Sequence, residues 1–137
     1  MRLMIDTNVL LDCLLDREPF ADDSEQILEL CARGKHEGCI LASTVTDIFY
    51  IAEKYMDDLH ELYLLMDELL EDLLLIGVER RDLMTALDRR ELDFEDCLLW
   101  TCAESFNCDA IVTRNIKDFN NSTVPAILPK TFLKEYN

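Results

Sequence analysis

The stretch Arg2-Leu3-Met4-Ile5-Asp6-Thr7-Asn8-Val9-Leu10-Leu11-Asp12 decides the fold. Leu3–Ile5 is a short, continuously apolar run of the kind found in strands buried on both faces. It ends on a carboxylate, and an apolar helical pattern over Val9–Leu15 follows at once. A strand that gives way directly to a helix is the start of a βαβ unit, and Asp6 then stands at the carboxyl edge of a sheet. In open α/β folds, that edge is where ligands sit. Thr7 and Asn8 can turn the backbone and cap the helix.

The same alternation continues along the chain. A helix broken from the first by Pro19-Phe20 carries Ile27, Leu28 and Cys31 on its buried stripe and closes near Gly34. Cys39–Ala42 reads as a second strand. Val45–Met56 is helical, with Ile48, Ile51, Ala52 and Tyr55 on one face. An acidic amphipathic helix spans about Asp58 to Asp72, with Leu62, Leu65, Met66, Leu69 and Leu70 as its stripe. Leu73–Val78 is a third strand, and Arg80–Arg89 a short helix expected to bury Leu83, Met84 and Leu87. Phe94–Phe106 is helical, Ala110–Val112 is a fourth strand, Pro125–Leu128 a short edge strand, and Thr131–Tyr136 a terminal helix. Strands alternating with helices imply a three-layer α/β/α architecture around a mostly parallel sheet of four to five strands. With no linker, repeat or low-complexity stretch, residues 1–137 read as a single domain.

Three more carboxylates fall at strand-to-helix or strand-to-loop junctions like that of Asp6. Asp47 lies near the start of a helix in Ser43-Thr44-Val45-Thr46-Asp47, beside the apolar stripe. Asp96 heads the stripe Leu99, Trp100 and Ala103, where an unpaired buried charge is costly. Asp118 follows the fourth strand in Thr113-Arg114-Asn115-Ile116-Lys117-Asp118. Asp93 has the simpler task of capping the helix that carries Asp96. Acids gathered at one sheet edge repel one another unless a cation joins them, which points to a divalent-metal site of hard oxygen ligands.

The bulk numbers bound this reading. The chain has 29 acidic and 13 basic residues, a net charge of −16, so broad electrostatic capture of nucleic acid is excluded. The acidic excess lies largely at the junctions above, in Asp58–Asp72 and in Asp16–Glu29. Any polyanionic substrate would need a local basic rim, for which Arg114, Lys117, Arg80, Arg81, Arg89 and Arg90 are candidates. The six cysteines form no CxxC pair and have no histidine at zinc spacing, so they read as reduced core thiols. No apolar run approaches the roughly 20 residues of a membrane helix, and Asp6 interrupts the first apolar stretch. The expectation is a cytoplasmic protein that does not engage membranes.

Leu3 to Asp12, Ser43 to Asp47, Asp93 to Leu98, and Val112 to Asn115 with Asp118-Phe119 together resemble, in order and spacing, the four motifs of the PIN domain family. The resemblance spans almost the whole chain and extends to the VapC-type toxin ribonucleases of toxin–antitoxin modules, the family's largest group. It implies a divalent-metal-dependent endoribonuclease in which Asp6, Asp47, Asp96 and Asp118 are catalytic and hold Mg²⁺ or Mn²⁺. Thr7, Asn8, Asp93, Thr113, Arg114 and Asn115 would orient ligands or bind substrate. It further implies an RNA substrate, a basic antitoxin protein as partner and a homodimer. Two departures stand out: the second motif more often carries Glu where Asp47 stands, and the fourth often has Asp where Asn115 stands. A catalytically impaired PIN-like module that binds protein or RNA is the alternative. Haloacid-dehalogenase-like phosphotransferases want a second Asp where Asn8 stands, and receiver-like signalling domains want an acid pair and a central phosphoacceptor Asp that are not visible here.

Overall fold

The computed structural model describes residues 1–137. Five strands form one sheet: β1 (Arg2–Ile5), β2 (Glu37–Leu41), β3 (Leu74–Ile76), β4 (Ala110–Val112) and β5 (Ala126–Ile127). Every pairing is parallel and the order is β3-β2-β1-β4-β5. Helices α1 (Thr7–Leu14), α2 (Ala21–Ala32), α3 (Val45–Glu53), α4 (Leu59–Glu71), α5 (Arg80–Arg89), α6 (Phe94–Ser105) and α7 (Pro129–Tyr136) connect and cover the strands. Single 3-10 turns lie at Ala42–Thr44 and Ile116–Phe119.

The period-two alternation of each strand sorts its side chains between two cores. Leu3, Ile5, Ile40, Ala110 and Val112 join the core made with α1, α2, α3, α4 and α7, where Phe132 is fully buried. Met4, Cys39, Leu41 and Ile111 point the other way, against α5 and α6 and around Trp100. This is the expected three-layer arrangement, with five strands and no antiparallel pair. The six cysteines are unpaired and all but Cys13 are buried, Cys39 and Cys108 with sulfurs 3.6 Å apart. No helix is long and apolar enough to cross a membrane.

Helix faces differ from the periodicity at two places. Leu83, Met84 and Leu87 of α5 are 39–50% exposed, and the face turned inward carries Asp82 and Ala86. A rotation of one residue, about 100°, separates those faces. Asp82 is tolerated inside because it accepts hydrogen bonds from the Glu79 backbone N–H (2.9 Å) and the Ser105 hydroxyl (2.9 Å). Tyr55, expected on the inner face of α3, lies beyond the end of the helix and is 70% exposed.

Close approach of α2 to β2 depends on Gly38. A Cβ there would stand 2.7 Å from Leu73 Cδ2 and 2.8 Å from Cys31 Sγ, inside van der Waals contact with packed core atoms. Gly38→Ala is expected to destabilise by about 1–3 kcal/mol through overpacking. Gly77→Ala, with nothing within 4 Å of the added methyl, is the control expected to be near neutral. Urea midpoints of the two variants check this, and equal midpoints would show that Leu73 and Cys31 give way freely.

Candidate metal centre

The chain leaves β1 toward β2 and β3 on one side and returns to β4 and β5 on the other. The switch in direction therefore falls between β1 and β4, and their carboxyl ends frame a crevice. Asp6 closes β1 there. Its backbone N–H donates to the Val112 carbonyl (3.0 Å), so Asp6 and Thr113 stand side by side at the ends of neighbouring strands.

The Asp6 carboxylate is 5% exposed and held from three directions. Thr7 N donates to Oδ1 (2.7 Å), while Asn8 Nδ2 (3.0 Å) and the Thr113 hydroxyl (2.7 Å) donate to Oδ2. Thr113 is itself fully buried and accepts from the Asn115 backbone N–H at 3.0 Å. Burial raises the Asp6 pKa, and the three hydrogen bonds only partly offset it; the nearby charge of Asp118 pushes it further up.

The remaining acids arrive from both layers. Asp93 caps α6 by accepting from the Asp96 backbone N–H (3.0 Å). This leaves the Asp93 carboxylate at the cap and that of Asp96 on the first turn, facing Asp118 in the 3-10 turn after β4. Oxygens of Asp93, Asp96 and Asp118 lie within 4.8 Å of one another. Burial, then the charges of Asp6, Asp93 and Asp118, lift the Asp96 pKa to about 8. On the other side of Asp96, a cavity of about 160 Å³ is lined by Asp6, Thr7, Ser43, Asp47, Glu95 and Asp96. Asp47 itself is exposed, on the first turn of α3. Burial and then Asp47, Asp93 and Asp6 raise the pKa of Glu95 across that cavity.

All four acids singled out by the sequence thus meet at one crevice, with Thr7, Asn8 and Thr113 bonded to Asp6 or beside it. Asn115 contributes its backbone N–H, and its side chain is exposed. Arg114 turns away from the acids: its side chain donates to both oxygens of Asp12 (Nη2–Oδ1 3.0 Å) and only its backbone N–H meets Asn8 Oδ1 (3.3 Å). Arg89 is no part of a basic rim either, since it bonds Thr101 and Glu104 and lies over the Trp100 ring. Two acids carry more weight here than the sequence assigned them. Asp93 joins the cluster as well as capping, and Glu95, not singled out, lines the cavity; their place on the first turn of the helix bearing Asp96 was the available signal.

The chemistry of the donor set suits a hard divalent cation. Two other buried acids have structural partners, Asp12 with Arg114 and Arg17 and Asp82 with Glu79 and Ser105. Asp6, Asp47, Asp93, Glu95, Asp96 and Asp118 make no salt bridge at all. Six carboxylates without a cation, some of them partly buried, are costly as a group and offer only oxygen ligands.

A family model described as PIN domain matches residues 2–117. Among solved structures, VapBC2 from Rickettsia felis bound to a promoter DNA fragment superposes with a TM-score of 0.70 at 21% identity, covering 93% of this chain and 98% of that one. A toxin–antitoxin complex from Klebsiella pneumoniae gives 0.68 at 23% identity, covering 93% and 97%. FitAcB from Neisseria gonorrhoeae gives 0.66 at 13% identity, covering 93% and 98%. At these identities the likeness is one of fold. No curated protein sequence matches the chain significantly.

Proposed function

The chain belongs to the PIN domain family, whose members are generally nucleases, and on that premise we propose that residues 1–137 form one divalent-metal-dependent endoribonuclease domain, the toxin subunit of a toxin–antitoxin pair. One observation carries the reading: six carboxylates free of salt bridges converge at the β1–β4 switch point, around Asp6 and Asp96. Asp6, Asp96 and Asp118, with Asp47 across the cavity, would hold Mg²⁺ or Mn²⁺, and Asp93 and Glu95 stand close enough to share that task. When bound, the metal would polarise the scissile phosphate and activate water for hydrolysis.

The chain's own residues prepare that site. Thr113, Thr7 and Asn8 lock the Asp6 carboxylate in one orientation, as outer hydrogen bonds do for metal ligands elsewhere. Asp96, whose pKa is near 8 without metal, keeps a proton at neutral pH that a cation would displace. Apparent Mn²⁺ affinity is therefore expected to rise as pH increases toward about 8.

Titration calorimetry with Mn²⁺, on wild type beside Asp6→Asn, tests the centre. Binding near or below the millimolar range that disappears in the variant supports it. Identical traces for the two proteins would sink the metallonuclease and leave a PIN-like module that binds protein or RNA.

A groove of about 320 Å³ between α1, α2 and α4 suits the antitoxin. Its floor is Leu14, Leu28, Leu65 and Leu69, and its rim carries Glu25, Glu29, Glu68 and Asp72. An apolar floor with an acidic rim fits an amphipathic segment with basic flanks. The exposed Leu83, Met84 and Leu87 of α5 form the apolar face that a second copy would cover in a homodimer. A cytoplasmic location accords with the unpaired cysteines.

A further inference from the structure

Beside the acidic crevice lies a second pocket of different chemistry. About 350 Å³ in volume, it is bounded by Pro19 and Phe20 before α2, Arg114 after β4, and Leu128, Pro129 and Lys130 at the start of α7. That size is at the lower end of the roughly 300–1,000 Å³ range of small-molecule sites. The Arg114 guanidinium lies over the Phe20 ring, 4.1 Å from its centroid. Arg114 cannot swing away freely, because Asp12, fully buried, holds it by two hydrogen bonds. Phe20 remains 40% exposed and the Arg114 side chain 26% exposed, so the pair is a fixed, partly open flat surface.

Two hydrogen bonds link the pocket's Arg114 to the acidic crevice. Arg114 N donates to Asn8 Oδ1 (3.3 Å), and Asn8 Nδ2 donates to Asp6 Oδ2 (3.0 Å). Arg114 and Lys130 both line it, against one half-buried carboxylate, Asp23. Asp12 already offsets the Arg114 charge, which leaves Lys130, in no salt bridge, as the pocket's free cation beside the aromatic ring.

We propose that this pocket is a nucleotide subsite, taking one unpaired RNA base against the Phe20–Arg114 surface with its phosphate near Lys130. The proposal rests on the ribonuclease reading and adds to it a place where the strand is held outside the acidic crevice. Stacking is indifferent to net charge, which is how an acidic protein can hold a polyanion. It requires a base free of its own stack, so single-stranded or looped RNA is selected over duplex. Every base has a flat face, so Phe20 would place the strand and set affinity more than sequence.

The test uses a fluorescein-labelled single-stranded RNA oligonucleotide of mixed sequence, first in EDTA and then with Mn²⁺. In EDTA, Phe20→Ala should weaken binding roughly 5- to 150-fold, the range for loss of one base–aromatic stack. Phe20→Tyr should bind as wild type does, and Lys130→Ala should lower the salt slope by about one. With Mn²⁺, Phe20→Ala should raise KM and keep kcat, and its Mn²⁺ calorimetry should match wild type. Wild type that fails to bind the oligonucleotide in EDTA, Phe20→Ala that binds it equally well, or equal affinity for the duplex form would each overturn the subsite. Phe20-dependent binding without any Mn²⁺-dependent cleavage would sink the ribonuclease and keep the subsite. Cleavage with a KM unchanged in Phe20→Ala would do the reverse.

Discussion

Asp6→Asn and Asp96→Asn should each lower Mn²⁺-dependent RNA cleavage by at least about 10²–10³-fold, the scale on which removal of one preorganised electrostatic group acts, and Asp96→Asn should also make the metal-free protein more stable. The two effects have one origin. Asp6 and Asp96 are held among acids with no cation within salt-bridge reach, so their charge opposes folding until a metal arrives. At Asp96 asparagine keeps the shape and removes the charge; at Asp6 its NH2 would face either the Thr7 N–H or the Asn8 amide, a donor-to-donor contact that offsets the relief of charge. At Asp96 the folded pKa of about 8 stands above an unfolded value of about 3.9. Its contribution to stability is thus fully present below pH ~4 and is lost as pH rises through about 8. The benefit of Asp96→Asn should grow over that window and level off above it. The group is only half-buried, so water screens the repulsion and the gain should be about 1–2 kcal/mol, a rise of several degrees in Tm. Adding Mn²⁺ should stabilise wild type and leave both variants unmoved. Thermal melts from pH 5 to 9, with and without Mn²⁺, beside a cleavage assay provide the check. A variant that cleaves as wild type does takes that residue out of the mechanism, and an Asp96→Asn protein that melts lower than wild type without metal refutes the repulsion.

Removing Arg114 should have the largest effect on folding. Asp12 is fully buried in α1, and Arg114 covers both its oxygens from the far side of the switch point. The other cation within reach, Arg17 Nη1, is 3.8 Å away and makes no hydrogen bond to Asp12. Arg114→Leu leaves a buried carboxylate without hydrogen-bonded compensation, a situation that destabilises by about 3–5 kcal/mol. Arg114→Lys should fall only partly short of that loss, because an ammonium cannot reproduce the two-pronged geometry. The double variant Asp12→Leu, Arg114→Leu should recover most of the stability, since a buried pair exchanged for apolar side chains is often neutral. A double-mutant cycle by urea denaturation measures the coupling. A loss under about 1 kcal/mol in Arg114→Leu would mean that Arg17 takes over, and that the link between α1 and β4 is held by backbone contacts alone. Phe20, which Arg114 covers, is the safer position for probing the neighbouring pocket because Asp12 keeps its partner.

Much of the molecule was legible along the chain. Leu3–Ile5 followed by Asp6 placed the first strand and its terminal charge, and Ala110–Val112 matches β4 residue for residue. The Leu99, Trp100 and Ala103 stripe of α6 is buried as its spacing demands, which brings Asp96 to the inner edge of that helix. Other features resisted reading for identifiable reasons. On α5, the apolar residues Leu83, Met84 and Leu87 have helical spacing, but so do Asp82 and Ala86 one step earlier. The second face won because Ser105, 23 residues away, satisfies Asp82. Asp93 could be recognised as a cap, yet its approach to Asp118 depends on how α6 meets the turn after β4. Arg114 followed a strand beside the expected site and invited a substrate role; its partner Asp12 lies 102 residues earlier.

The sequence by itself determined the order and type of the strands and helices, with bounds off by up to three residues, as where Val45–Met56 was expected and α3 ends at Glu53, and that each candidate acid lies near an element's end. Those properties depend on neighbours within a few residues, through the two-residue period of a strand and the 3.6-residue period of a helix. Only the tertiary structure decided which acids face one another, that Glu95 shares the cavity with Asp47, and that Arg114 belongs to Asp12 and Phe20 instead of the acid cluster. These meetings follow from the strand order β3-β2-β1-β4-β5, which sets the end of β4 beside the end of β1 across more than a hundred residues of chain. Local patterning constrains each element's own faces; it carries no information about which distant element will lie against them.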